Sequence, residues 1–277
     1  MLEAILPARA IEVVEIAPSG DRIQDKPLHE MGGKGLFTKE LELALLAGRI
    51  DGAVHSMKDV PVTMPLVDVS TLVIAAIPRR EDPRDVLVSV GASSIGSLPE
   101  RARVGTGSLR RAVQLRAIRA DVTIEPIRGN IDTRLGKLRD GAFDAIVLAA
   151  AGLNRAGMFD PTTMACIDID QMVPAAGQGA LAVQCRSSDA EVVQWLGLID
   201  DAETRRCVEI EREVVRLLSC DCHSPVGVLA RPDDRVLQIH AAWHNGHEMR
   251  RVTDLDVRND VHLAAVAIAR GLSDISA

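Results

Sequence analysis

One phrase in this chain occurs twice, and it narrows the possible folds more than composition does. Apolar residues at Phe37, Leu41, Ala44 and Leu45 follow helical spacing, Gly48 stands where a left-handed cap ends a helix, and Ile50 to His55 reads as a strand. The order returns in Thr133 to Leu138, Gly141 and Phe143 to Ala150, with Gly48, Asp51 and Val54 answering Gly141, Asp144 and Val147 at a constant offset of 93 residues. Two such units predict two similar α/β lobes. Strands as apolar as Ala145 to Ala149 read as covered on both faces, unlike those of a half-exposed antiparallel sheet.

The last third changes character. A charged amphipathic helix from Ala202 to Leu218 precedes strands at Val226 to Ala230, Val236 to Trp243 and Arg250 to Val257, and a helix covers Val261 to Leu272. That order predicts a small α+β domain. A length of 277 residues, 47% of them apolar, supports two or three compact units. The longest apolar stretch, Ala145 to Leu153, is far short of the roughly 20 residues of a membrane span. No basic patch precedes an apolar run at the N-terminus, so no secretory signal is read there and a cytoplasmic location is expected. Five scattered cysteines do not form a disulfide framework. A net charge of -7 argues against nucleic-acid binding, yet only five of the 32 basic residues are Lys. Arginine suits carboxylates and phosphates because its planar fork meets two oxygens at once.

Candidate chemistry gathers at strand ends, where α/β sheets bind ligands. His55, Ser56, Lys58 and Asp59 leave the first repeated strand, and Pro61 stops the run from continuing as helix. Val104-Gly-Thr-Gly-Ser-Leu-Arg-Arg111 has the form of a strand, a glycine turn, a Ser cap and a helix start, an arrangement whose free N–H groups bind anions. Ile127 to Arg134 repeats it, turning at Gly129, and Arg155 lies just past the second repeated strand. Gly32-Gly-Lys34-Gly35 reads as a loop that closes over a ligand, with Lys34 reaching its anionic groups, or as a plain tight turn, and Gly177-Gln178-Gly179 reads as a ligand loop or as a hinge. Cys220-Asp-Cys222-His223 invites a zinc reading, but Cys-x-Cys is not a knuckle spacing, and an attachment thiol or an inert cysteine fits better. No metal is expected. An enzyme and a non-catalytic two-lobed binding protein for a small polycarboxylate both fit these residues.

The motifs Gly32-Gly-Lys-Gly-Leu-Phe37, His55-Ser-Met-Lys-Asp-Val-Pro61, Arg80-Glu-Asp-Pro-Arg-Asp85, Gly105-Thr-Gly-Ser-Leu-Arg-Arg111, Arg128-Gly-Asn130 and Gly177-Gln-Gly-Ala180 follow the order found in porphobilinogen deaminases, also called hydroxymethylbilane synthases. The chain resembles that family from about residue 20 onward, most densely between 30 and 186. The resemblance implies two lobes like those of type II periplasmic binding proteins, residues 1–78 with 180–197 and residues 84–173, and a cofactor-attachment domain at 202–277. It implies condensation of four porphobilinogen molecules into hydroxymethylbilane with loss of ammonia, primed on a dipyrromethane joined by thioether to Cys222.

By the same resemblance Asp59 is the catalytic carboxylate, which stabilises cationic azafulvene and pyrrole nitrogens. Lys58, Ser108, Arg110, Arg111, Arg128 and Gly129 are expected on the cofactor; Arg134, Arg155, Lys34, Ser56, Thr106 and Gln178 are expected on the substrate. A monomer with no nucleic-acid or membrane partner is implied. The family's opening Thr-Arg-x-Ser-x-Leu-Ala-x-x-Gln pattern has no counterpart in Met1 to Glu15, so the chain is expected to begin inside the family's first helix. Pro18-Ser-Gly-Asp21 and Gly107 are milder departures from the pattern.

Overall fold

The computed structural model describes residues 1–7, 10–16, 38–62, 71–221, 224–233, 236–255 and 261–273. In chain order its elements are α1 (Leu2–Ile5), α2 (Lys39–Leu46), β1 (Ala53–Ser56), β2 (Leu72–Ala76), β3 (Asp85–Ser89), β4 (Arg103–Gly105), α3 (Leu109–Ile118), β5 (Thr123–Glu125), α4 (Ile131–Arg139), β6 (Ala145–Ala149), α5 (Ala150–Arg155), β7 (Met164–Cys166), β8 (Leu181–Arg186), α6 (Ala190–Gly197), α7 (Ala202–Leu217), β9 (Val226–Asp233), β10 (Val236–His244), β11 (Met249–Leu255) and α8 (Val261–Ser273). The fold class is the expected one: two α/β lobes and a small α+β domain.

The strands form three sheets, β1-β8-β2, β5-β4-β6-β3-β7 and β11-β10-β9. In the second, β4 runs parallel to β5 and β6, whereas β3 arrives from the first lobe and runs antiparallel to both its neighbours. In the first, β8 returns from the second lobe and runs antiparallel to β1 and β2. The two junctions match residue for residue. Ser56 pairs with Leu181 and Met57 N–H donates to Ala180 O at 3.0 Å; Ala149 pairs with Asp85 and Ala150 N–H donates to Arg84 O at 3.0 Å.

The repeated glycines do what their spacing predicts. Gly48 at φ +67° and Gly141 at φ +74° are left-handed, and each N–H donates at 3.0 Å, to Leu45 O and to Leu138 O. The next N–H groups, of Arg49 and Ala142, close the same cap onto Ala44 O and Lys137 O.

Lobe 2 is buried on both faces of its sheet. Leu87, Val104, Leu115 and Val147 pack on one side and Val86, Val88, Ile127, Ile146 and Leu153 on the other. The expectation of cover on both faces fails for β1, where burial alternates and Val54 is 61% exposed. Its counterpart Val147 is buried because β4 pairs with β6 and α3 packs above it. Among the described residues no strand pairs with the corresponding edge of β1. The third domain sets Ile210 and Val214 of α7, and Ala265 and Ile268 of α8, against Val228 and Ile239 of its sheet.

Two crossing segments, on either side of residues 80 and 178, join the lobes. Glu81 N–H donates to Gly179 O at 3.1 Å and Arg80 Nε to Gln178 O at 2.8 Å. Gly179 is left-handed at φ +87°, and an added Cβ would overlap the Glu81 carbonyl oxygen, so this contact requires glycine. The third domain is pinned to the crossing by Glu211 of α7, a fully buried carboxylate. It accepts Arg80 Nη1 at 2.5 Å and Nη2 at 3.0 Å, Gly177 N–H at 2.7 Å and Ala230 N–H at 2.9 Å. Both carboxylate oxygens accept two hydrogen bonds each, so the pair is sound only while it is whole. We expect Glu211→Ala to lose about 3–5 kcal/mol, the cost of stranding a buried charge, in urea denaturation followed by circular dichroism. A loss below about 1 kcal/mol would show that the three domains are held elsewhere.

Candidate active site

Three loops meet at one end of the lobes. The first is the 3₁₀ turn Met57–Asp59 directly after β1, in which Met57 is buried, Lys58 half-buried and Asp59 exposed. His55, two residues before the turn, is buried on the face opposite Val54 and Ser56, shares a 3.0 Å hydrogen bond with Gln184 Oε1, and burial pushes its pKa down. The turn is clamped from the third domain by Arg212, whose Nη1 and Nη2 donate to Val60 O at 2.8 Å and Pro61 O at 2.6 Å.

The second loop is the glycine turn between β4 and α3. Ser108 caps the helix, its side chain accepting Arg111 N–H at 3.5 Å, and buried Thr106 accepts Ser108 N–H at 3.2 Å. The third lies between β5 and α4, where Asn130 caps the helix by accepting Thr133 N–H at 2.9 Å and Arg134 Nε donates to Gly129 O at 2.7 Å. Lys137 Nζ closes the turn onto Arg128 O at 3.1 Å. Both turns follow the C-terminal ends of parallel strands, the edge at which such sheets take ligands.

Arg110 and Arg111 look like surface residues in the sequence, but they are only 4% and 6% exposed. Both grip Asp85, the first residue of β3. Arg110 reaches Oδ2 at 2.7 Å and Oδ1 at 3.2 Å; Arg111 reaches Oδ1 through Nε at 2.9 Å and Nη2 at 2.7 Å. Their remaining bonds go to Val173 O at 2.7 Å and Val147 O at 2.9 Å. Burial alone would raise the Asp85 pKa, but the two guanidiniums outweigh it and hold the carboxyl far below the usual range. Sequence reading does not single out Asp85 as a site residue; the signal available is an acid two residues past Pro83, at the end of the Arg80–Asp85 motif.

Charges in these loops feel one another. Burial pushes the Lys58 ammonium down and Arg111 and Arg110 push it further, while Asp59 and Asp85 oppose them. Arg134 is lowered by burial and then by Arg111 and Arg128, with Asp59 opposing. Lys58, Asp59, Arg110, Arg111, Arg128 and Arg134 therefore share one electrostatic site. Arg155 stands apart from it at the crossing, where it is exposed and donates Nη2 to Gly179 O at 2.7 Å. Ser56 is exposed at the end of β1. Gln178 does not face the cleft. It is 1% exposed, its Nε2 donates to Pro83 O at 2.6 Å and Asp85 Oδ1 at 3.0 Å, and its Oε1 has no hydrogen-bond partner among the described residues.

The third domain reaches this site through the loop before β9. A small cavity of about 50 Å³ is lined by Lys58, Ser108, Arg110, Arg212, Asp221 and Ser224 among others. Cys222 and Lys34 lie outside the described residues. Cys220 is half-buried against the third domain's core, and burial pushes its thiol up. A larger groove of about 870 Å³ behind the crossing, lined by Arg79, Glu81, Asp168, Asp201 and Arg231 among others, takes in part of the Arg80–Asp85 motif but none of the residues expected on cofactor or substrate.

The depressed Asp85 pKa has a definite sign. As pH falls, the unfolded chain takes up its proton near 3.9 while the folded chain resists, so the contribution is complete above about pH 5 and is lost on acidification. We expect Asp85→Asn to cost about 3–5 kcal/mol at pH 7, and the gap between parent and variant to narrow between pH 5 and 3 in urea denaturation. A gap that is unchanged or widens with acid would contradict the ion triad.

A family model described as porphobilinogen deaminase, dipyromethane cofactor binding domain, matches residues 1–194. A porphobilinogen deaminase of Sorangium cellulosum (strain So ce56) is 48% identical over 252 residues, 90% of this chain and 82% of that protein. One of Geobacillus kaustophilus (strain HTA426) is 50% identical over 240 residues, 86% and 76% of the two chains. Among solved structures, the second substrate binding domain of a putative amino acid ABC transporter from Streptococcus pneumoniae Canada MDR_19A is 15% identical, over 58% of this chain and 69% of that one, with a TM-score of 0.39. With that coverage by the family model and by relatives near half identity, the chain belongs to the porphobilinogen deaminase family.

Proposed function

We propose that this chain condenses four porphobilinogen molecules head to tail into hydroxymethylbilane, releasing ammonia at each addition, on a dipyrromethane joined by thioether to Cys222. The observation that carries the reading is the meeting of Lys58, Asp59, Arg111, Arg128 and Arg134 in one field beside the loop that bears residue 222. The donor set suits the cofactor, because acetate and propionate groups call for cationic forks and Asp221 and Ser224 line the same cavity as Lys58, Ser108 and Arg110. When bound, the dipyrromethane supplies the primer to which substrate units add.

In this reading Lys58, Ser108, Arg128 and the turn at Gly129 hold the cofactor's carboxylates. Arg110 and Arg111 add charge that Asp85 has already fixed in place. Arg134, Arg155, Ser56 and Lys34 take those of the substrate; Thr106 and Gln178 act by shaping the turn and the crossing. Asp59, exposed beside Lys58, stabilises the positive charge that develops on the substrate pyrrole as its amine leaves. We divide the chain into residues 1–78 with 180–197, 84–173 and 202–277, in line with the three sheets. We place it in the cytoplasm as a monomer; among the described residues no helix is long and apolar enough to cross a membrane. The rival reading, a binding protein without catalysis, draws no support from relatives that are named as the enzyme.

The first test is covalent. The intact mass of the denatured parent should exceed that of its chain by two pyrrole units, the excess should vanish in Cys222→Ser, and it should survive in Cys220→Ser. An adduct mapped to Cys220, or none in the parent, would end the assignment. The second test is kinetic. Asp59→Asn keeps shape and removes charge, so kcat should fall by about 100-fold or more with the urea midpoint unchanged. Turnover near the parent rate would remove Asp59 from its role.

A further inference from the structure

We propose that Gln114 is a positioning residue that sets helix α3, with Ser108, Arg110 and Arg111, in register with the return crossing and the third domain. The proposal rests on the functional reading above. Gln114 lies on the turn of α3 after Arg110 and is 1% exposed. Its amide grips one residue of the crossing from both sides: Oε1 accepts Val173 N–H at 2.8 Å, and Nε2 donates to Val173 O at 3.0 Å. A primary amide carries a donor and an acceptor side by side, so it pairs with a backbone residue as a neighbouring strand would.

The same carbonyl accepts Arg110 Nη1 at 2.7 Å, so the positioning amide and an anion-site guanidinium share one acceptor. From the third domain, Arg251 of β11 donates Nη2 to Gln114 Oε1 at 3.3 Å and to Gln171 O at 2.8 Å, and Nη1 to Asp170 O at 2.7 Å. Next to this contact the crossing supports β9, the strand that follows the loop bearing Cys222. Val228 N–H donates to Pro174 O at 2.9 Å, and an added Cβ on Gly227 would lie 2.5 Å from Val173 O. Gln114 thus joins three bodies at one residue: the helix with the anion turn, the crossing, and the sheet that carries the cofactor loop. A glutamate at this position would set an oxygen against Val173 O, and a methionine would leave the Val173 N–H without its acceptor.

Gln114→Met, Arg251→Met and the double variant test this in the full chain, with Leu115→Val as a control that loosens the core side of the same helix. Three readouts are taken: the fraction of chains carrying the adduct by intact mass, kcat and KM for porphobilinogen, and amide exchange over residues 168–176. In Gln114→Met we expect the adduct fraction to drop, kcat/KM to fall by about 10- to 100-fold and exchange at the crossing to quicken, as misplacement of a site by an ångström would produce. The double variant should lose little beyond Gln114→Met, because the two residues act in one chain of contacts. Leu115→Val should lower the thermal midpoint and leave all three readouts at parent values. Gln114→Met matching Leu115→Val would overturn the proposal alone, as would full additivity with Arg251→Met. A parent with neither adduct nor product would overturn the functional reading and this proposal together.

Discussion

The cleft is organised around one carboxylate that never reaches solvent. Asp85 stands where the chain has just entered lobe 2, and Arg110, Arg111 and Gln178 close on it from the anion turn and from the return crossing. Removing an ion from water costs several kcal/mol even after the protein relaxes, so no partner can drift without exposing that cost. The entering strand, the start of α3 and the return crossing therefore hold one geometry. One carboxylate against two guanidiniums also leaves a surplus positive charge, and it sits at a helix start whose N–H groups already favour anions. In the function proposed above, that surplus charge is already fixed when a carboxylate arrives.

Glu211 performs the matching task for the third domain. It too is fully buried, it too is met by an arginine of the crossing, and its other bonds reach Gly177 and Ala230. The two carboxylates act from different bodies on the short pairing of residues 80–81 with 178–179. That pairing is consequently shared by all three domains, which explains its narrow tolerance: Gly179 has room for no side chain, and the Gln178 amide spans Pro83 and Asp85. Buried ion pairs are poor sources of net stability, but they penalise every arrangement in which the partners are apart. A chain whose site is assembled from three bodies gains register from such pairs.

Much of this was readable in advance, and the reason differs from residue to residue. Gly48 and Gly141 were legible because a left-handed cap is a local demand that only a few residues meet. The anion turns were legible because strand, glycine and cap form one continuous phrase. Asp85, Glu211 and Gln114 were not: a charged or amide residue looks the same in sequence whether it meets water or a partner, and theirs lie 25, 131 and 59 residues away. Val54 shows the converse error. Its apolar strand suggested cover on both faces, yet cover is supplied by neighbours, and in lobe 2 that means β4 and α3. Gln178 spans the crossing through its Nε2, a role that a Gly-Gln-Gly run does not distinguish from a place on the ligand.

The excess of arginine over lysine has two separate physical origins. Arg80, Arg110, Arg111, Arg186, Arg212 and Arg251 bridge carbonyls and carboxylates of separate chain segments, using several donors of one planar head; an ammonium cannot reach two such acceptors along fixed directions. These are architectural arginines and would be needed in a site of any chemistry. Lys58 and Arg134 differ: burial lowers both first, neighbouring arginines lower them further, and the nearby carboxylate of Asp59 opposes the shift. A cation held away from water among like charges is costly, and a carboxylate placed against it lowers that cost. In the function proposed above, each acetate and propionate of the growing chain meets one such cation, so the pairing recurs along the ligand.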